Sequence, residues 1–119
     1  MDLVDCSRIE RMLQEDDGFL AIAFTAYEQE ECGVDAARLG GRWAAKEAAM
    51  KALGRGIGSI APQDVEIQSD SEGGPTLRLT GSAQRRAQEL GATSWDVSLS
   101  HESGFAVAFV IMTIGGPCV

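Results

Sequence analysis

The chain has 119 residues, enough for one compact domain and too few for a second, and its 45% hydrophobic content builds a core without metal or disulfide staples. A net charge of −8 argues against the clustered basic surface that non-specific nucleic-acid binding requires. Cys6, Cys32 and Cys118 show no CxxC spacing and the chain has one histidine, so neither a disulfide framework nor a zinc site is indicated.

The cysteines read as reduced thiols of a cytoplasmic protein. No apolar run reaches the length of about 18 residues that a membrane span needs. Asp2, Asp5 and Arg8 stand where a signal peptide would need an apolar core, and a soluble protein with no membrane partner is expected.

Taken in chain order, Ser7 to Asp16 places Ile9, Met12 and Leu13 at helical spacing, with Gly18 as a stop. Thr25 followed by Glu28 is a capping-box pattern, which starts a second short helix ending at Gly33, and Asp35 can cap the next. Ala36 to Leu53 has the composition of a strong helix, the longest of the chain, and runs into the glycine-rich Gly54-Arg55-Gly56-Ile57-Gly58.

After Pro62, Val65 and Ile67 alternate with polar neighbours, Ser69 to Gly74 makes a turn, and Leu77 and Leu79 alternate within Pro75 to Thr80. Ser82 to Leu90 reads as a helix stopped by Gly91, and Ser94 to Ser100 alternates Trp95, Val97 and Leu99. Ala106 to Ile114 is a nearly continuous apolar run that suits a buried central strand. The order of helices first, then strands around one further helix, predicts an α+β domain with an antiparallel sheet packed on a long central helix.

Within the longest helix, Glu47 and Lys51 share one face, and Arg42 and Lys46 a neighbouring one. Alone, this pattern reads first as a solvated charged surface with an ordinary ion pair. The glycines that follow shift the balance, because they let backbone N–H groups approach a phosphate while lysine supplies a point charge. The segment is not a P-loop, since no GKS or GKT follows.

Asp2 and Glu47 form the best carboxylate pair for a hard divalent cation, which favours carboxylates together with phosphate oxygens and water. His101, at the end of a strand, is read as a structural residue, an acid/base group or a phosphate contact.

Three blocks then form an ordered pattern: Asp2-Leu3-Val4-Asp5-Cys6-Ser7-Arg8-Ile9, Arg42-Trp43-Ala44-Ala45-Lys46-Glu47-Ala48 continuing to Lys51 and Gly54, and Ser98-Leu99-Ser100-His101. Over nearly its whole length the chain resembles the holo-acyl-carrier-protein synthase family, the short single-domain type of 4'-phosphopantetheinyl transferase. The middle block is the most specific of the three.

The resemblance implies transfer of the 4'-phosphopantetheine arm of coenzyme A to a serine of an apo acyl carrier protein, with release of 3',5'-adenosine bisphosphate. It assigns magnesium to Asp2 and Glu47, and catalysis to Glu47 and Lys51, with Glu47 as the base either directly or through a metal-held water. Coenzyme A contacts fall to Arg42, Lys46, Lys51, Gly54, Gly56, Pro75 and His101. Arg8, with Arg11 one helical turn on, matches the carrier-protein docking position.

Chains of this length in the family are homotrimers with interfacial active sites, which would place the Ala106 to Met112 strand near the assembly core. Both substrates are acidic, so local cationic patches of Arg8, Arg11, Arg42, Lys46 and Lys51 are expected to offset the unfavourable net charge, and binding to weaken with salt. One departure lies at the first block: only Met1 precedes Asp2, where the family has several residues in a strand, which implies a shorter strand or a truncated start. The rival readings are an inactive coenzyme A or carrier-protein binding module of the same fold, and a small nucleotide-binding scaffold in which Asp2, Glu47 and His101 do not converge.

Overall fold

The computed structural model describes residues 1–15 and 18–115. Asp16, the expected end of the first helix, and Cys118 lie outside the described residues.

The organising element is helix α4, Ala36–Leu53. Asp35 caps it by accepting from the backbone N–H groups of Ala37 at 3.0 Å and Arg38 at 3.1 Å, which satisfies two donors that the first turn leaves open. At the far end Gly54 takes a left-handed conformation, φ 71°, and the Arg55 N–H reaches back to the Met50 carbonyl at 3.1 Å, a glycine-terminated helix stop.

Alanines and glycines keep the helix thin enough to be surrounded. Ala44, Ala45, Ala48 and Ala49 are buried, and a Cβ on Gly40 would lie 2.7 Å from the Cys6 Sγ. The helix packs on strands β1 (Asp2–Asp5), β4 (Ala92–Glu102) and β5 (Phe105–Ile114), and on helix α1 (Cys6–Glu15).

These three strands form an antiparallel sheet in the order β1-β5-β4. β4 and β5 join through Ser103 and Gly104, both at positive φ, 50° and 81°, the twist a two-residue hairpin prefers. Strands β2 (Val65–Ser69) and β3 (Pro75–Leu79) make a separate two-stranded sheet, so the strands divide into two sheets where one was expected. Helix α5 (Gly81–Leu90) intervenes between β3 and β4, and the Trp95 indole ties the sheets by donating to the Leu77 carbonyl at 2.8 Å.

β5 is central, as its apolar run predicted, yet it is not buried on both faces within the chain. Ala106 and Ala108 are fully covered, while Phe109 is 52% and Ile111 67% exposed on the opposite face, beside Leu3 at 60%.

Two short helices precede α4. In α3 (Ala26–Cys32) the capping box forms as expected: the Thr25 hydroxyl accepts from the Glu28 N–H at 3.2 Å, and the Glu28 carboxylate from the Thr25 N–H at 2.9 Å. Helix α2 (Phe19–Ala23) was not foreseen, because five residues are too few to show a period. Its purpose is packing: Phe19 and Phe24 meet Trp43 edge-on, with centroids 5.3 and 6.2 Å away.

Cys6 and Cys32 are buried thiols, and burial raises the pKa of each. Among the described residues no helix is long and apolar enough to cross a membrane.

Candidate active site

Strand β1 and the C-terminal half of α4 bring together three charged groups that the sequence separates widely. Asp2 stands opposite Ala108 on the covered face of the sheet and is 8% exposed. The Lys51 ammonium meets its Oδ1 at 2.8 Å and the Met1 carbonyl at 3.2 Å, while the lysine side chain remains 61% exposed. Glu47, one helical turn before Lys51, lies beside Asp2.

Two carboxylates in one half-buried place repel each other. The Glu47 carboxyl is pushed up to about 7, first by burial and then by a shared side-chain hydrogen bond with Asp2 and its negative charge; Arg8 and Lys51 pull the other way. Asp2 in turn holds Lys51 more firmly charged than a free lysine.

The Asp2 Oδ2 atom is buried and has no hydrogen-bond partner. An orphaned carboxylate oxygen next to a second carboxylate lacking its proton is the donor set a hard divalent cation satisfies. No group of three or more metal-ligating side chains occurs among the described residues. The pair therefore fits magnesium, which completes its shell with water and substrate phosphates, better than a metal that needs an all-protein cage.

From these residues a cleft of about 410 Å³ runs along Met50, Gly54, Arg55, Gly56 and Ile57. Gly56 has no neighbour within 4 Å of where a Cβ would be, so its backbone is open to a ligand. Arg55 was not singled out by sequence reasoning, although its place between two loop glycines is the signal that marks it.

Of the expected site residues, Asp2, Glu47, Lys51, Gly54 and Gly56 converge here, with exposed Arg8 close enough to act on Glu47. Arg11 is exposed on the same helix, one turn along. Arg42, Pro75 and His101 stand elsewhere. Arg42 donates to the Ser69 hydroxyl at 3.5 Å and keeps a buried Nε without a partner, and Pro75 pairs with Ser69 across the β2–β3 ladder.

His101 donates from Nε2 to the Ala37 carbonyl at 2.9 Å, and its ring lies against Gly41, where a Cβ would come within 3.0 Å of it. At about 1.5 Å per residue, Arg42 and Lys51 are about 14 Å apart along the α4 axis.

Lys46 departs from expectation. Its ammonium is sealed in the core with 0% exposure, paired with Glu28 at 2.7 Å and donating to the carbonyls of Pro62 at 2.8 Å and Val65 at 2.5 Å. All three of its protons are taken, so it has none for a coenzyme A phosphate, and it belongs to the framework instead. The helical phase explains this: Lys46 is turned about 100° from Glu47, toward β2 rather than the cleft. Glu28, read from the sequence only as a cap, is its buried counter-ion and also accepts from the Ile67 N–H at 2.9 Å.

The chain is similar in sequence and fold to known proteins. A family model described as the 4'-phosphopantetheinyl transferase superfamily matches residues 1–110. A holo-[acyl-carrier-protein] synthase of Herpetosiphon aurantiacus is 43% identical, over 93% of this chain and 94% of its own length. Its counterpart in Solidesulfovibrio magneticus is 44% identical, over 94% of each chain.

Among solved structures, Helicobacter pylori holo-[acyl-carrier-protein] synthase in complex with coenzyme A superposes with a TM-score of 0.85 at 29% identity, covering 94% of this chain and 96% of that one. The Mycobacterium tuberculosis acyl carrier protein synthase gives 0.73 at 32% identity, covering 96% and 94%. With the fold, the motif blocks and the family model in agreement over nearly the whole length, the chain belongs to the 4'-phosphopantetheinyl transferase superfamily.

Proposed function

We propose that the chain is a single phosphopantetheinyl transferase domain over residues 1–119, acting as a holo-[acyl-carrier-protein] synthase. It moves the 4'-phosphopantetheine arm of coenzyme A onto a serine of an apo acyl carrier protein. The observation that carries this reading is the meeting of Asp2, Glu47 and Lys51 at the head of a cleft walled by Gly54, Arg55 and Gly56, in a chain whose relatives bear that activity in their names.

The reaction joins the serine oxygen to the β-phosphorus of coenzyme A and breaks the bond from that phosphorus to the bridging oxygen, which leaves with 3',5'-adenosine bisphosphate. Asp2 and Glu47 are the residues that would hold magnesium, and the ion supplies charge neutralisation for the pyrophosphate. Lys51, exposed at the cleft mouth and anchored by Asp2, faces the charge that grows on the departing phosphate.

Glu47 stands where the serine proton must be taken, either by its own carboxylate or by a water it holds beside the metal, and its carboxyl is pushed up to about 7 only while the site is metal-free. Gly54 and Gly56 let the phosphates lie against the backbone, and Arg55 offers a further cation at the cleft wall. Arg8 and Arg11 on the exposed side of α1 are the docking cations for the acidic carrier.

Arg42, Pro75 and His101 belong to the same chemistry if a neighbouring copy supplies them. The exposed apolar face of Leu3, Phe109 and Ile111 is the surface that brings copies together, and we read the assembly as a cytoplasmic homotrimer with interfacial sites. Appearance of 3',5'-adenosine bisphosphate tests the reading: it should require coenzyme A, magnesium and a carrier whose acceptor serine is intact. Release without the carrier, or none with it, would refute the transferase.

A further inference from the structure

The glycine loop between α4 and β2 lines the cleft, yet its glycines cannot hold their own shape. It is tied at both ends by side chains that do not line the cleft. At its start, α4 leaves the Leu53 carbonyl without a helical partner, and the Arg86 Nε of α5 donates to it at 2.8 Å. Arg86 is 18% exposed and is steadied by Glu89 at 3.2 Å, so it acts as a strut and not as a surface charge.

At the loop's end the Ala61 N–H donates to the Ser82 hydroxyl at 3.0 Å, and that hydroxyl donates to Asp64 at 2.6 Å. Ser82 and Arg86 are one turn apart on α5, so one helix face holds both ends. Lys46 completes the arrangement from the other side by donating to the Pro62 carbonyl at 2.8 Å.

We infer that Arg86 and Ser82, with buried Lys46, are positioning residues that pre-form the Gly54–Ala61 loop for a phosphate-bearing ligand. The inference rests on the transferase reading for the identity of that ligand. None of the three touches the cleft opening at Glu47 and Lys51; they act through the backbone whose N–H groups the phosphates meet.

Hydrogen exchange by NMR is the direct test. The Ser59 and Ile60 N–H groups both bond the Gly56 carbonyl, at 3.2 and 3.0 Å, and report loop order. In Arg86→Gln and in Ser82→Ala their exchange should quicken about 10-fold while β4 and β5 amides keep their rates, and the Kd for coenzyme A with magnesium should rise about 10-fold. Arg86→Lys, which keeps a cation within reach of the Leu53 carbonyl, should restore most of both losses.

Unchanged loop exchange and unchanged Kd would overturn the inference, as would an equal rise in exchange across β4 and β5, which marks a merely structural role. A wild-type chain that fails to bind coenzyme A would contradict the transferase reading alone, because the exchange comparison still decides whether α5 braces the loop.

Discussion

At the scale of single residues, charge placement decides the chemistry. Glu47 ionises at about pH 7 in the folded chain, against a usual value of 4.5. Between those values the folded, metal-free protein keeps a proton that the unfolded chain releases, so this group's contribution to stability is full below pH 4.5 and is lost as pH rises through 7. Thermal unfolding in chelator should therefore show a Tm falling across that window, with the slope diminished in Glu47→Gln. Magnesium, which needs the carboxylate, should bind more weakly as pH falls below about 7, measurable by titration calorimetry.

Lys46 gives the opposite kind of prediction. Lys46→Met leaves Glu28 buried without its counter-ion and should cost about 3–5 kcal/mol in urea denaturation, a loss that the double change with Glu28→Gln reduces. The motif placed Lys46 and Glu47 side by side, but a motif does not record which way each side chain turns. One faces a cleft and its neighbour faces the core, and only the helix phase against β2 separates them.

At the scale of elements, local signals were the legible ones. The boundaries of α4, the Thr25 capping box and the Pro75 start of β3 follow from caps, glycines and turns, which act within a few residues of where they are written. Helix α2 escaped because tertiary contact of Phe19 with Trp43, not periodicity, holds it. The division into two sheets escaped because strand neighbours depend on where α5 packs. The left-handed Gly54 is the element-scale test: Gly54→Ala should cost about 1 kcal/mol of stability, read by urea denaturation.

At the scale of the molecule, the chain carries a face that its own fold does not cover. Phe109, Ile111 and Leu3 stay exposed on the outer side of β5 and β1, and the proposed assembly would bury them there. If the proposed trimer forms, Ile111→Asp should convert it into monomers in sedimentation equilibrium and lower transfer, since Arg42 and His101 stand apart from Glu47 within one chain. With a net charge of −8, encounter with an acidic carrier relies on local cations such as Arg8 and Arg11, so the KM for the carrier should rise with added salt.

The most direct test of the central claim is the intact mass of an apo acyl carrier protein after incubation with this chain, coenzyme A and magnesium. The paired Asp2 and Glu47 carboxylates with Lys51 predict a gain of one phosphopantetheine that disappears with chelator and falls at least about 100-fold in rate in Glu47→Ala. No gain on any of several carriers, or a gain at an undiminished rate in Glu47→Ala, would contradict the account.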